Sequence, residues 1–410
     1  MNIGSVRVRD VPESDIERAL ALSHLVFHES PDDERRKQQQ QELSGHLRIG
    51  AYDGEELVGF AAAHPFVVSV PGGADLPCPG LSYVSVAPTH RRRGVLSAMM
   101  SELFARWTEQ GAPLAALWAS EAAIYGRFGF GPGTYGATVE IDSRRALALR
   151  VPPDERALHL LDARSVPTAL APYFESTRGL RAGRHARTEA WWREQWMART
   201  DEEDEDLSPP RVVTLGDPLA GYAIYRTKAG DWSGGTAGLV SVEELEADGP
   251  EQAATLWRYL ADIDLTGTVR AHGRPLDDPL SLFAADPDQV SVKNVEPALW
   301  VCLVDVRAAL AARVWAAPVD VAIEVLDARI TANAGTFRLI ASPDGFSYAP
   351  TGDAPDLTVQ ARDLATAYMA AKPVADLVRA GLVTEHTRGA ASMLDAALRT
   401  ELLPHTGDSY

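Results

Sequence analysis

The spacing of apolar and polar positions changes several times along the chain, and each change marks an element. Val6–Arg9 alternates as an edge strand does. Over Asp15–Phe27 the period lengthens to a helical face of Ile16, Ala19, Leu20, Leu22, Ser23 and Phe27, with Asp15 in the first turn. Glu29–Glu42 has no apolar stripe and predicts a charged, Gln-rich helix or loop with a solvated face. Leu47–Tyr52, Leu57–His64 and Phe66–Val70 predict three antiparallel strands, with Asp53-Gly54 as a hairpin turn and Pro71-Gly72-Gly73 closing the third. Leu81–Val86 is another apolar, β-branched run. Helix Val95–Gln110 follows, striped by Leu96, Met100, Leu103 and Trp107 and stopped by Gly111 and Pro113. Leu114–Ala119 and Ala137–Ile141 read as strands, and the polar, Pro-containing stretch Asp142–Glu155 as a linker.

The same order recurs in weakened form. Leu158–Leu161 is strand-like, Pro167–Thr177 and Thr188–Ala198 predict helices, and Asp201–Asp206 is a like-charge run expected to be an exposed loop. Strands Val212–Leu215, Gly221–Arg226 and Gly238–Ala247 precede a helix at Glu251–Ile263 and a strand at Thr268–His272. From Ala298 an α+β pattern runs to the chain end. Asp305 would cap helix Val306–Val314, four strands are expected between Val319 and Arg362, and helices over Leu364–Ala371, Val374–Ala380 and Gly389–Thr400.

Composition narrows the partners. A chain of 410 residues exceeds one core and predicts about two to four domains. With 39 basic against 57 acidic residues the formal charge is −18, which argues against nucleic acid and suits a cationic small molecule or peptide. Glu29, Asp32, Asp33 and Glu34 could rim a cation-binding mouth, although a solvated face is the plainer reading. No membrane span and no signal peptide are visible, so a cytoplasmic location is expected. Cys78 and Cys302 lack metal or redox spacing and are expected to be free, buried thiols.

The chemistry concentrates between Leu81 and Phe130. Arg91, Arg92 and Arg93 stand before a helix N-terminus, where they oppose the macrodipole by about 0.3–1 kcal/mol each. They make sense there if an anion sits on the first-turn N–H groups, with Gly94 allowing close approach. An arginine-rich surface turn paired with acids elsewhere is the alternative. In the weakened repeat the corresponding position reads ELEADGPEQ, acidic and unsuited to phosphate. Nearby, His64 is expected to be structural. Tyr83, Trp118 and Phe27 could wall an acceptor pocket or simply pack the core.

Strand, R-x-x-G turn, amphipathic helix, strand and then Tyr-x-x-Phe-Gly-Phe resembles the acyl-CoA core of the GCN5-related N-acetyltransferases, the GNAT superfamily. Leu96 departs from the usual last position of the turn. APTHRRRG together with ASExxIYGRFGFGP resembles the Eis (enhanced intracellular survival) acetyltransferases. That block spans about 50 residues. The resemblance implies an α/β fold of mixed sheets: a catalytic GNAT domain at 1–148, a degenerate one at 149–297, and a sterol-carrier-protein-like domain at 298–410 that delivers the C-terminus.

Carried over by position, Val84, Ser85 and Val86 would hold pantetheine. Arg92, Arg93, Gly94, Val95, Leu96 and Ser97 would hold pyrophosphate, and Ser120 and Glu121 would contact the thiol end of acetyl-CoA. Tyr125 would donate a proton to the departing thiolate, its ordinary pKa of about 10 roughly matching a thiol; the alternative is a core aromatic. The carboxylate of Tyr410 would accept the amine proton. The resemblance further implies aminoglycosides or lysine side chains as acceptors, no metal, and a homohexamer. The rivals are a narrow polyamine or metabolite acetyltransferase and a non-catalytic acyl-CoA or lipid-binding protein.

Overall fold

The computed structural model describes residues 6–198, 201, 204–231 and 237–410. Contacts divide the chain into two units, one of 1–134, 299–401 and 409–410 and another of 135–298 and 402–408.

The first unit opens with Val6–Asp10 (β1), Ile16–Phe27 (α1), Asp33–Leu43 (α2), Leu47–Asp53 (β2) and Glu56–His64 (β3). Val67–Ser69 (β4) and Asp75–Pro77 (β5) form a separate two-stranded ribbon. The third expected strand therefore leaves the main sheet. Gly80–Val86 (β6), Val95–Glu109 (α3), Leu114–Trp118 (β7), Ala122–Tyr125 (α4) and Gly131–Pro132 (β8) complete this stretch. The sheet order is β1-β2-β3-β6-β7, then a strand from much later in the chain, then β8. Helix α3 buries Val95, Met99, Met100, Leu103, Phe104 and Trp107, while Leu96, expected on the buried stripe, sits half-buried at its margin. Those side chains pack with Ile49, Ala51, Val58 and Leu117 into one apolar core.

The second unit begins one expected strand early. Tyr135–Asp142 (β9) pairs antiparallel with two of its strands. Next come Leu158–Leu161 (β10), Val166–Arg178 (α5), Glu189–Trp191 (α6), Arg211–Leu215 (β11), Gly221–Lys228 (β12), Gly238–Ala247 (β13), Pro250–Ala261 (α7), Thr266–Arg274 (β14), Leu280–Phe283 (α8) and Val290–Pro297 (β15). The sheet order is β10-β11-β12-β13-β14-β9-β15. After α6 the helix continues as one π turn, Trp192–Trp196. The stretch expected as a linker contributes Leu147, Leu149 and Val151 to this unit's core, and the Gln289 amide donates to the carbonyls of Asp142 and Arg145 at 2.9 and 3.0 Å. In the acidic run, Asp204 and Asp206 pair with Lys228 at 2.8 and 3.1 Å, while Glu202 and Glu203 lie outside the described residues.

Leu299–Leu303 (β16), not anticipated from the sequence, returns to the first unit and pairs with β7 and β8. Val306–Ala312 (α9) follows, its Asp305 cap accepting from Ala308 N at 2.9 Å. Val319–Leu326 (β17), Gly335–Ser342 (β18), Gly345–Pro350 (β19), Leu357–Gln360 (β20) and Val383–Glu385 (β21) make a five-stranded sheet ordered β19-β18-β17-β20-β21. Its helices are Ala361–Tyr368 (α10), Val374–Arg379 (α11) and Ala390–Leu398 (α12).

Candidate active site

Two strands part company where the expected pantetheine strand begins. Ser82 and Ser85 pair with Ala62 and Phe60, so Tyr83 and Val84 together face the single residue Ala61. This is a β-bulge, and Tyr83 adopts φ 56 to make it. β6 pairs in parallel with β7 only at Gly80 and Leu81. Beyond Leu81 no strand among the described residues pairs with β6 on that side. Val84 and Val86 are half-buried there, and Ser85 is buried with its hydroxyl donating to Tyr83 O at 3.2 Å.

The chain then turns into α3. His90 pins the turn to the β2–β3 hairpin: its Nδ1 is 2.9 Å from Thr89 Oγ1 and its Nε2 3.4 Å from Asp53 Oδ2. Arg91, Arg92 and Arg93 are exposed and make no ion pair with a described residue, so the picture of arginines paired with acids is not what the turn shows. Arg92 (φ 61) and Gly94 (φ 85) are left-handed, a sequence that turns successive N–H groups toward one concavity. Gly94 is the N-cap, no side chain caps the helix and its first turn holds no acid. Ala98 N bonds Gly94 O, leaving the N–H groups of Val95, Leu96 and Ser97 as the donors a helix cannot satisfy itself. Three outward N–H groups, three cationic side chains and an open strand edge fit a phosphate- and amide-bearing ligand such as coenzyme A.

β7 ends at Trp118, whose buried indole N–H has no hydrogen-bond partner among the described residues. Ser120 and Glu121 follow, both exposed, with Glu121 O accepting from Ile124 N at 3.0 Å. Tyr125, at the end of α4, is buried with its ring 6.2 Å from that of Phe130. Burial first, and then the charge of Glu121, push its phenol up to about 12. The near-match with a thiol expected from ordinary values is thus lost, because the site desolvates the phenolate.

Tyr410 lies in the first unit. Its ring meets Phe66 and His64 edge-on at 4.7 and 5.5 Å. It also lies over the start of β6: a Cβ on Gly80 would stand 2.9 Å from Tyr410 Cε2. His64 stacks on Phe66 at 5.1 Å, and its Nε2 is 3.5 Å from Glu42 Oε1. Sequence reasoning misses Phe66, Gly80 and Glu42, since nothing local marks them as neighbours of the chain end. Burial, and then Cys78, raise the Tyr410 phenol well above its ordinary value, so the side chain is not the group that accepts a proton.

Other candidates are less engaged. Tyr83 packs on Phe60 at 6.2 Å, and Phe27 is 38% exposed at the end of α1. Of the acidic rim residues, Asp32 caps α2 through Arg35 N at 2.8 Å and Asp33 pairs with Arg36 at 3.7 Å; Glu29 and Glu34 are exposed. Cys78 and Cys302 are free and buried, and burial raises both thiols far from nucleophilic ionisation. Among the described residues no His, Cys, Asp and Glu cluster is placed to hold a metal ion, and no helix is long and apolar enough to cross a membrane.

Comparison with known proteins agrees with this geometry. Residues 7–133 and 183–314 each match an acetyltransferase (GNAT) domain, and residues 306–407 a sterol carrier protein domain. An uncharacterized N-acetyltransferase of Streptomyces avermitilis is 40% identical over 363 residues, 87% of each chain. The N-acetyltransferase Eis of Mycobacterium tuberculosis is 30% identical over 375 residues, 89% of this chain and 88% of that one. The crystal structure of Eis1 from Mycobacterium abscessus superposes with a TM-score of 0.87 at 34% identity, covering 98% of this chain and 100% of its own. The chain belongs to the Eis family of GNAT N-acetyltransferases, with two GNAT domains and a sterol-carrier-type domain.

Proposed function

We propose that this acetyltransferase moves acetyl from acetyl-CoA directly to a primary amine of a cationic acceptor, an aminoglycoside or a lysine side chain, and can do so at several positions. The observation that carries the reading is the coincidence of a free β6 edge at Val84–Val86 with the uncapped start of α3. Acetyl-CoA, when bound, supplies the acetyl group as a thioester. Val84, Ser85 and Val86 bind its amides through backbone. Arg92, Arg93 and the N–H groups of Val95, Leu96 and Ser97 hold the pyrophosphate, with Gly94 keeping the approach clear. Ser120 and Glu121 border the thiol end.

The amine nitrogen forms the new C–N bond, the C–S bond breaks, and the sulfur leaves as thiolate. Tyr125 donates its O–H to that sulfur. At about 12 its phenol stays protonated through the neutral range. Full transfer to an aliphatic thiolate, whose thiol pKa is about 10, would run uphill by about 3 kcal/mol. Tyr125 therefore acts mainly by hydrogen bonding to developing charge, and the thiolate takes its proton as the product leaves. The acceptor amine, pKa about 10.4, is neutral in roughly one part in 10³ at pH 7. The terminal carboxylate of Tyr410, a weak base of pKa about 3.5, chiefly fixes the ammonium and accepts its proton by way of water. Buried, poorly ionised Cys78 and Cys302 support direct attack without an acyl-enzyme.

We further assign the enzyme to the cytoplasm, on the strength of its two free thiols, and to a homohexamer. Support for assembly comes from Val292 and Val295, 56% and 50% exposed on the edge strand β15; sedimentation velocity tests it. The catalytic reading is tested by thiol release from acetyl-CoA against aminoglycosides, lysine peptides, linear polyamines and a neutral amine, with Tyr125→Phe and a chain lacking Tyr410 alongside. Release with the polycationic acceptors is expected. Release with linear polyamines alone would replace the acceptor class, and background release throughout would defeat the proposal.

A further inference from the structure

Asp408 stands two residues before the chain end, and its side chain is 1% exposed. Arg187 Nε donates to its two oxygens at 2.8 and 3.1 Å, and Arg187 Nη2 at 3.0 Å. The indole N–H groups of Trp191 and Trp196 donate to Oδ1 at 2.8 and 2.7 Å, and His185 Nε2 lies 3.6 Å from Oδ2. The far side of Arg187 is gripped by Glu244 at 3.0 and 2.7 Å, and Glu244 accepts from Tyr222 OH at 2.6 Å. Phe174, Trp196 and Trp192 face the guanidinium, with ring centroids 3.8, 4.0 and 4.5 Å from its carbon. Burial alone would neutralise Asp408, but Arg187 above all, with the N–H donated by Trp191, keeps it ionised.

Chain ends ordinarily fray. Here the tail is bonded residue after residue within the second unit: Leu403 N to Asp277 at 2.8 Å, Leu403 O to Arg181 at 2.8 Å, His405 N to Ala182 O at 2.9 Å and Thr406 Oγ1 to Gly183 O at 2.7 Å. Residues 402–408 belong to that unit, 409–410 to the first. Asp408 and Tyr410 are joined through the covalent chain. Two residues span at most about 7 Å, so whatever fixes Asp408 confines the terminus to that reach.

We propose that Asp408, gripped by Arg187, Trp191 and Trp196, is a positioning residue for acetyl transfer, tethering the tail so that the Tyr410 carboxylate stays at the acceptor ammonium. This rests on the proposed role of the Tyr410 carboxylate as proton acceptor. The degenerate GNAT domain is then a receptor for the chain's own carboxylate.

The test compares the full-length enzyme with Asp408→Asn and with a three-glycine insertion between Asp408 and Ser409, which leaves the network intact and only lengthens the tether. In both variants carboxypeptidase should release Tyr410 at least tenfold faster than from the parent. The kcat should fall at least tenfold while KM for acetyl-CoA holds. The pH–rate profile should move to the alkaline side, since rate then follows the neutral fraction of the amine; loss of folded enzyme would only scale the profile down. An insertion variant with the parental kcat and pH profile would overturn the proposal, even if Asp408→Asn did not fold. Failure of the Tyr410 reading shows separately: a chain lacking Tyr410 would keep its rate and profile, while carboxypeptidase still reported whether Asp408 holds the tail.

Discussion

In β6, Tyr83 and Val84 stand opposite Ala61; in β13, Glu243 slips out between the pairs Val242–Tyr225 and Glu244–Ile224. The parallel neighbour also drops away in both units, β7 after Leu81 and β14 after Val242. Past that point the two units diverge. In the first unit the strand continues as Val84–Val86 and leads to an uncapped helix start with three exposed arginines. In the second it continues as Glu244, Leu245 and Glu246. Glu244 binds Arg187, Glu246 binds Arg184, and Leu245 O accepts from Arg274 Nη1 at 3.1 Å. Helix α7 then begins with Pro250, which has no N–H to offer, and Glu251. The bulge and the parted strands belong to the fold. Whether they bind a cofactor depends on whether the chain's own side chains already occupy the gap.

That contrast can be attacked from either side. The strongest response should come from the filled gap: Arg187→Met leaves Asp408 and Glu244 buried without their cation and should cost about 3–5 kcal/mol, read as a lower urea midpoint of the second unit. A variant as stable as the parent would mean the arginine network is not what closes the gap. On the open side, Tyr125→Phe should lower kcat about 100-fold with little change in KM for acetyl-CoA, as steady-state kinetics on a good acceptor would show; an unchanged kcat would return Tyr125 to the core.

Acid bears on both units: burial, and then Arg48, lower the pKa of His46 in the first, and two more deeply buried histidines lie in the second. These are His185 and His405, their pKa values lowered by burial above all. Unfolded histidines take up protons below about 6.5 while these do not, so stability falls as pH drops through that value, by up to about 1.4 kcal/mol per pH unit for each. Melting curves at pH 7.5 and 5.5 should show the loss, and His405→Gln should reduce it; a flat response would mean the two rings are protonated in the folded protein. The weakest response should be none at all. Glu251→Ser removes the acid from the α7 start yet should create no second cofactor site, because the arginines still fill the gap; coenzyme A binding to a second site in this variant would show that the acid alone had kept it out.

The parts of this contrast visible in the sequence are those encoded locally. Gly94 needs its left-handed φ, the arginines sit against the helix they precede, and the α3 stripe predicts a buried face, so turn, helix and strand could be read within about 50 residues. Strand exchange could not, because β9 and β16 are chosen by partners more than a hundred residues away. The acidic stretch around Glu244 signalled only that phosphate was unwelcome. Its reason is three arginines from distant loops and strands, and pairing of that range has no local periodicity. Tyr125 shows the limit within a motif: its position was legible, but its raised pKa comes from burial, which spacing does not encode.

If an unfilled gap is what makes a cofactor site, the first unit alone seats coenzyme A, at the β6 edge and the α3 start. Calorimetric titration with coenzyme A reads this out, using the parent and Ser97→Glu, which sets a negative charge in the first turn of α3 where helices tolerate one well. One molecule bound per chain, abolished or weakened at least 100-fold in Ser97→Glu with the melting temperature kept, is the predicted result. Two molecules per chain, or undiminished binding to Ser97→Glu, would contradict it.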